Sequence, residues 1–337
     1  MTAGARAKGL VTGWTDQSPV AGSAVMATGI ISVGLHLTGH ETLSLALLAL
    51  AFLFWAGLAV DFVARLIGDR ARWEAESYTP PALTSVAATC VLGTRCTALD
   101  WRALALVLLA ASVVLWLVLL PSVLRHWRRG MTGGVFLVCV ATQGLVVLAA
   151  TLAPVLDAGW LAQVSLGVWC LGLVLYCAAL AHFDYTNVRT GAGDQWVAGG
   201  ALAISALAGA KLLAAGQLTG SLHGVVRVVT LVLLCLDLAW YAVLAVAEAR
   251  WPRVRYDARR WATVFPLGMT SVATLSVSTA AKVGWLEGPG KVLLWIAVTV
   301  WCVVLAGMLR ARSVPWAAGG SRAQGGLPTR TGDQDGP

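Results

Sequence analysis

Few residues in this 337-residue chain have types and spacings that invite a chemical reading. His36 and His40 stand four apart beside Glu41, the spacing of two metal ligands on one helix face. Gly39 interrupts that face, so the plainer reading is a satisfied pair at a helix end, and no metal site is expected. The seven cysteines contain no CxxC pair, which implies neither a disulfide framework nor a zinc site. No Ser/His/Asp set, phosphate loop or paired carboxylate is recognisable. The chain is therefore not expected to be an enzyme, and no cofactor is expected. What stands out instead is charge inside apolar stretches: Lys211, Arg227 and Asp237. Alongside these comes an apolar stretch, 261–280, that carries Phe265-Pro266, Gly268, Thr270, Ser271 and Thr274.

The elements that must position these residues are membrane spans. The chain is 58% hydrophobic and only 12% charged, with a mean hydropathy of +0.77, where soluble domains carry roughly 25% charged residues. About 20 apolar residues cross one bilayer, and ten such segments can be drawn near 19–37, 43–66, 82–97, 103–124, 131–153, 160–182, 195–215, 223–247, 261–280 and 291–311. With the N-terminus inside, most basic residues fall in the inner loops, and only Arg95, Arg102, Lys282 and Lys291 fall outside. The positive-inside rule then puts both termini in the cytoplasm. The net charge of +8 is thereby explained by topology, and no nucleic-acid partner is expected. Several tryptophans (Trp101, Trp160, Trp196, Trp251, Trp261) sit near span ends, as an interfacial belt would. The expected organisation is a cytoplasmic segment 1–18, a ten-helix domain 19–312 and a disordered cytoplasmic tail 313–337. The arginine-rich, lysine-poor composition points to a GC-rich bacterial genome and hence an inner membrane.

The spans alternate in kind. Even-numbered ones are bulky and apolar; odd-numbered ones are small and weakly polar. A short element recurs in the odd ones: Ala27-Thr28 (followed by Gly29), Ala88-Thr89, Ala141-Thr142, Ile204-Ser205 and Ala273-Thr274. One such element per helical hairpin marks a repeat architecture. Small residues let helix backbones approach, while hydroxyls need partners or water. Five hairpins with small helices inside and bulky ones outside would form a pseudo-five-fold ring about a central pore. A compact bundle whose small residues only mark helix contacts is the alternative. Proline removes a backbone donor, so Phe265-Pro266 is expected to mark a kink or break, with Phe265 either at the pore's narrow point or a core aromatic filling the kink made by Pro266.

Five stretches carry a family resemblance: Pro19–Gly34, Ser85–Arg95, Val138–Ala150, Trp196–Leu213 and Trp261–Thr274, with MATGIIS and FPLGM-x-S-x-AT the most specific. Through them the chain resembles the tellurite-resistance/dicarboxylate transporters, which include bacterial homologues of plant slow anion channels. The resemblance implies ten helices in five hairpins, a pore lined by odd helices, a blocking phenylalanine matched here by Phe265, and a homotrimer in the lipid bilayer. Expected lining residues are Thr28, Gly29, Thr89, Thr142, Ser205, Thr270 and Thr274, with Pro266 and Gly268 shaping the gate. Lys211 would attract anions or snorkel to the headgroups; Arg227 would snorkel or make a structural pair. Asp237 would hydrogen-bond a hydroxyl such as Ser205, be protonated, or relay protons. Asp61 would pair with Arg65. No inner span holds an Asp or Glu in its apolar core, which favours passive passage of small anions or oxyanions over proton-coupled transport of C4-dicarboxylate, sulfite or tellurite-related species.

Overall fold

The structure is a computed structural model that describes residues 18–252 and 256–313. The expected N-terminal segment and C-terminal tail lie outside the described residues, apart from Ser18 and Ser313. Ten long helices are described: α1 Ser18–Leu37, α2 Glu41–Gly68, α3 Thr84–Ala98, α4 Arg102–Arg125, α5 Leu137–Val155, α6 Gly159–His182, α7 Val197–Ala214, α8 Gly220–Arg250, α9 Trp261–Ala280 and α10 Glu287–Ser313. Among the described residues there is no strand, and only one isolated bridge, Met131 to Phe183. A short helix, Arg70–Ser77, lies between α2 and α3.

Seven of the ten are long and apolar enough to cross a membrane: α2, α4, α5, α6, α7, α8 and α10, three of them counted with the short 3-10 turn that leads in. The chain is thus a multi-pass membrane protein by length and composition. The remaining three, α1, α3 and α9, fall short of the ten spans expected. α3 has only 15 residues, α1 offers a shorter apolar run, Gly22–Leu37, and α9 is diluted by seven hydroxyl residues and a proline. All three are odd-numbered and wrapped by other helices, so lipid does not set their polarity. The same division appears in burial. Only 22% to 28% of the apolar window is buried in the even helices, against 94% in α5 and 89% in α7.

The turns that reverse the chain after α1, α3, α5 and α9 share one design. The residue just past the helix has positive φ (Gly39 81°, Asp100 60°, Asp157 51°, Lys282 57°). The next amide then reaches back five residues: His40 to Leu35, Trp101 to Cys96, Ala158 to Ala153 and Val283 to Ser278, at 2.8–3.0 Å. This is the Schellman ending that satisfies orphan carbonyls at a helix terminus. The partner helix restarts within a few residues and packs back against its predecessor.

The odd helices touch one another in cyclic order: α1 on α3, α3 on α5, α5 on α7, α7 on α9, and α9 on α1. Glycine makes several of these approaches possible. A Cβ on Gly29 would lie 2.8 Å from Val91, one on Gly200 2.9 Å from Pro266, and one on Gly268 2.9 Å from Ile30. Pro266 and Gly268 are therefore packing positions. The expected break does not occur: α9 runs unbroken from Trp261 to Ala280, with Pro266 in its second turn and its ring seated against Gly200 of α7.

Candidate functional site

A small cavity draws its wall from all five odd helices: Ile30 and Val33 of α1, Cys90 and Thr94 of α3, Val147 of α5, Leu207 and Lys211 of α7, and Met269 and Val272 of α9. Its free room is about 20 Å³, enough for roughly one water molecule. Lys211 is the one charged side chain in this wall, and among the described residues no carboxylate pairs with it. Phe265 is completely buried. It precedes Met269 by four residues and Val272 by seven, so helical periodicity puts it on the face of α9 that lines the cavity, about 6 Å further along the axis.

The hydroxyls expected to line a pore bond to neighbouring helices or to their own backbone. Trp55 of α2 donates its indole N–H to Thr89 Oγ1 at 2.9 Å, Trp116 of α4 to Thr142 Oγ1 at 2.9 Å, and Trp301 of α10 to Thr28 Oγ1 at 3.0 Å. Trp169 of α6 donates to the backbone oxygen of Ser205 at 3.0 Å, while the Ser205 hydroxyl bonds Ala201. Each even helix in these four pairs thus grips the recurring element of the next odd helix, with α10 closing on α1. Thr28, Gly29, Thr89, Thr142, Ser205, Thr270 and Thr274 are absent from the cavity wall, which comes instead from positions one or two away, such as Ile30, Cys90, Gly144 and Ile204. The tryptophan partners were missed by sequence reasoning. A tryptophan in the interior of every even span (Trp55, Trp116, Trp169, Trp240 and Trp301) was the available signal.

The fifth pair, α8 with α9, departs from the pattern. Asp237, fully buried on α8, accepts a hydrogen bond from Thr270 Oγ1 at 3.2 Å. Its Oδ2 and the nearby Trp240 indole nitrogen have no partner among the described residues. The expected bond to Ser205 is absent because α6 occupies that junction through Trp169, and Asp237 faces α9 and Gly199. The Thr274 hydroxyl bonds back to Thr270 within α9, and Ser271 bonds the Gly290 carbonyl of α10.

Other charges are structural. Arg227 donates twice to the Ala281 carbonyl, at 2.9 and 3.2 Å, closing the C-terminal end of α9. Arg65 pairs with Asp61 and with Glu76. Arg95, expected in an outer loop, is instead buried within α3, where it meets Glu41 and Ser44. Its depth follows from these partners, which replace the water a loop arginine would keep. Glu41 also takes His36 Nδ1 at 2.6 Å, and His40 meets Thr38 and the edge of Trp295. Among the described residues no group of three or more His, Cys, Asp or Glu is placed to hold a metal. Trp196 and Trp261, expected in an interfacial belt, are buried against Tyr241 and Trp301; Trp101, Trp160 and Trp251 are exposed.

Comparison with known proteins agrees with the membrane character. The family model SLAC1, described as voltage-dependent anion channel, matches residues 18–309. Uncharacterized membrane proteins from two strains of Mycobacterium tuberculosis, CDC 1551 / Oshkosh and H37Rv, are each 34% identical over 122 residues, covering 34% of this chain and 61% of the relative. The chain thus spans less than two thirds of the length of these curated relatives. With the family model covering most of its length, the chain belongs to the voltage-dependent anion channel family, whose members are channels and transporters.

Proposed function

We propose that this membrane protein passes small inorganic anions or oxyanions along the axis enclosed by its odd helices, with Phe265 as the closure and Lys211 as the attracting charge. The odd helices form the inner ring of five hairpins. The observation that carries this reading is the cavity walled by all five odd helices, with a lysine in its wall that no carboxylate pairs with among the described residues, and Phe265 one turn along α9. An apolar passage with a lone cation selects against cations and requires an anion to shed water, which favours small, weakly hydrated species. Room for one water means that the passage is closed in this arrangement, and widening it requires Phe265 to move.

The test is chloride and nitrate flux through purified protein in liposomes. Phe265→Ala should raise flux sharply if the ring is what blocks the axis, with the protein remaining folded. Unchanged flux in a folded variant would remove Phe265 from the mechanism. We place the protein in the cytoplasmic membrane with both termini inside and as a homotrimer, the latter measurable by native mass spectrometry.

A second reading, proton-coupled transport of C4-dicarboxylate, sulfite or a tellurite-related anion, is favoured by Asp237, a buried acid bonded to the helix that bears Phe265. A reversal potential that follows the pH gradient, and loses that dependence in Asp237→Asn, selects the coupled carrier. A reversal potential at the anion equilibrium value selects the facilitator.

A further inference from the structure

Between α8 and α10 the outer surface opens into a groove of about 750 Å³. Its floor is Leu267 of α9, and its walls include Val300 and the exposed Val303 of α10. One end is polar: of the side chains there, Arg260 and Arg310 are cationic and Glu248 is anionic, Glu248 holding Arg260 at 2.6 Å. The opposite end runs along α10 into a second shallow concavity at Trp295 and Val292, so the apolar wall is continuous with the surface that faces lipid.

The equivalent place between α2 and α4 has only about 50 Å³ of room, because the chain fills it. The short helix Arg70–Ser77 sets Trp73 edge-on to Phe62 at 6.1 Å and brings Glu76 onto Arg65. An apolar filler and an acid thus arrive together on one element. Between α8 and α10 no such helix is present among the described residues.

We propose that the groove binds one anionic glycerophospholipid, its phosphodiester at Arg260 and Arg310 and an acyl chain lying along Val300, Val303 and Ile296. The lipid would supply what Arg70–Ser77 supplies at the equivalent place: an apolar body with a negative end. Charge fits, since the lining of the polar end has two arginines to one glutamate. Length fits as well: Arg310 to Ile296 is roughly 21 Å along a helix, enough for the hydrocarbon depth of one leaflet, about 15 Å. The arginines lie at the end where α9 begins and α10 finishes, the side assigned to the cytoplasm, where anionic headgroups attract basic residues.

The experiment is native mass spectrometry of the purified full-length protein titrated with phosphatidylglycerol or phosphatidylcholine. Phosphatidylglycerol should bind about tenfold tighter, in line with two arginines near an anionic headgroup. Arg310→Gln and the pair Arg260→Gln/Arg310→Gln should bring it toward the phosphatidylcholine level. Val300→Trp, which fills the groove without touching charge, should weaken binding of both lipids while the melting temperature holds. Equal affinity for the two lipids in the wild type, or lipid binding untouched by Val300→Trp, overturns the proposal. So does cross-linking between copies through Val303→Cys, which would show that a second chain occupies the groove.

Discussion

Single side chains divide here between those that hold helices together and those that line the small cavity between the odd helices. The indole-to-hydroxyl bonds belong to the first group. A hydrogen bond of this kind contributes about 1 kcal/mol net, with measured averages inside membranes nearer 0.6. Trp116→Phe, which removes the donor to Thr142, should therefore lower stability by ~1 kcal/mol more than Trp240→Phe, whose indole nitrogen has no partner among the described residues. Thermal unfolding of the two variants in one detergent measures the difference; equal losses would mean that ring volume, not the bond, decides. Lys211 belongs to the second group. If Lys211 attracts anions as proposed, Lys211→Met should reduce chloride flux by about an order of magnitude through loss of that field. Its melting temperature should stay near the wild type, because no ion pair is broken. A flux equal to the wild type would assign Lys211 to snorkelling instead.

At the scale of elements, the repeated Schellman turns set the hairpin geometry, and three of them place a non-glycine residue at positive φ. That conformation costs roughly 1 kcal/mol or more for an L-residue. Lys282→Gly should thus stabilise the protein by ~0.5 kcal/mol after the added freedom of the unfolded glycine is subtracted; chemical denaturation would register a higher midpoint, and a lower one would show that the lysine side chain contributes more than its backbone strain costs. These turns were not legible in the sequence, because Asp100, Asp157 and Lys282 give no sign that they must adopt a glycine-like conformation. The alternation of small and bulky helices was legible, because lipid and helix packing demand different side-chain sizes. The recurring Ala-Thr elements were visible too, but not the direction in which they face. A hydroxyl in a small-residue helix can turn toward a central path or toward an outer tryptophan, and spacing along one helix does not distinguish the two. Asp237 was visible as an anomaly, yet its partner depended on which neighbour α8 leans against.

For the molecule as a whole, the even helices leave most of their apolar surface uncovered and the odd ones pack against each other. The proposed membrane orientation rests on the distribution of basic residues, and cysteine labelling tests it. A cysteine placed at Asp157 should react with an impermeant maleimide from outside intact cells, and one at Arg128 only after permeabilisation; the reverse pattern would invert the orientation. Family membership was readable from the motifs in α1 and α9. Ten long helices stand where ten spans were drawn, and seven of them are long and apolar enough to cross a membrane; α1, α3 and α9 are shorter or more polar because their neighbours shield them.

The bond between Trp301 and Thr28 joins residues 273 positions apart, and it constrains the order of synthesis. α1 leaves the ribosome early, but the helix whose tryptophan satisfies its threonine is the last of the ten to emerge. Until then α1 must wait with a polar side uncovered, held mainly by its hairpin with α2. α9, also too polar to settle in lipid unaided, emerges just before the bulky α10. The final helix is therefore both the escort of α9 and the clasp for α1, and a chain stopped before it leaves two helices without cover at opposite ends of the sequence.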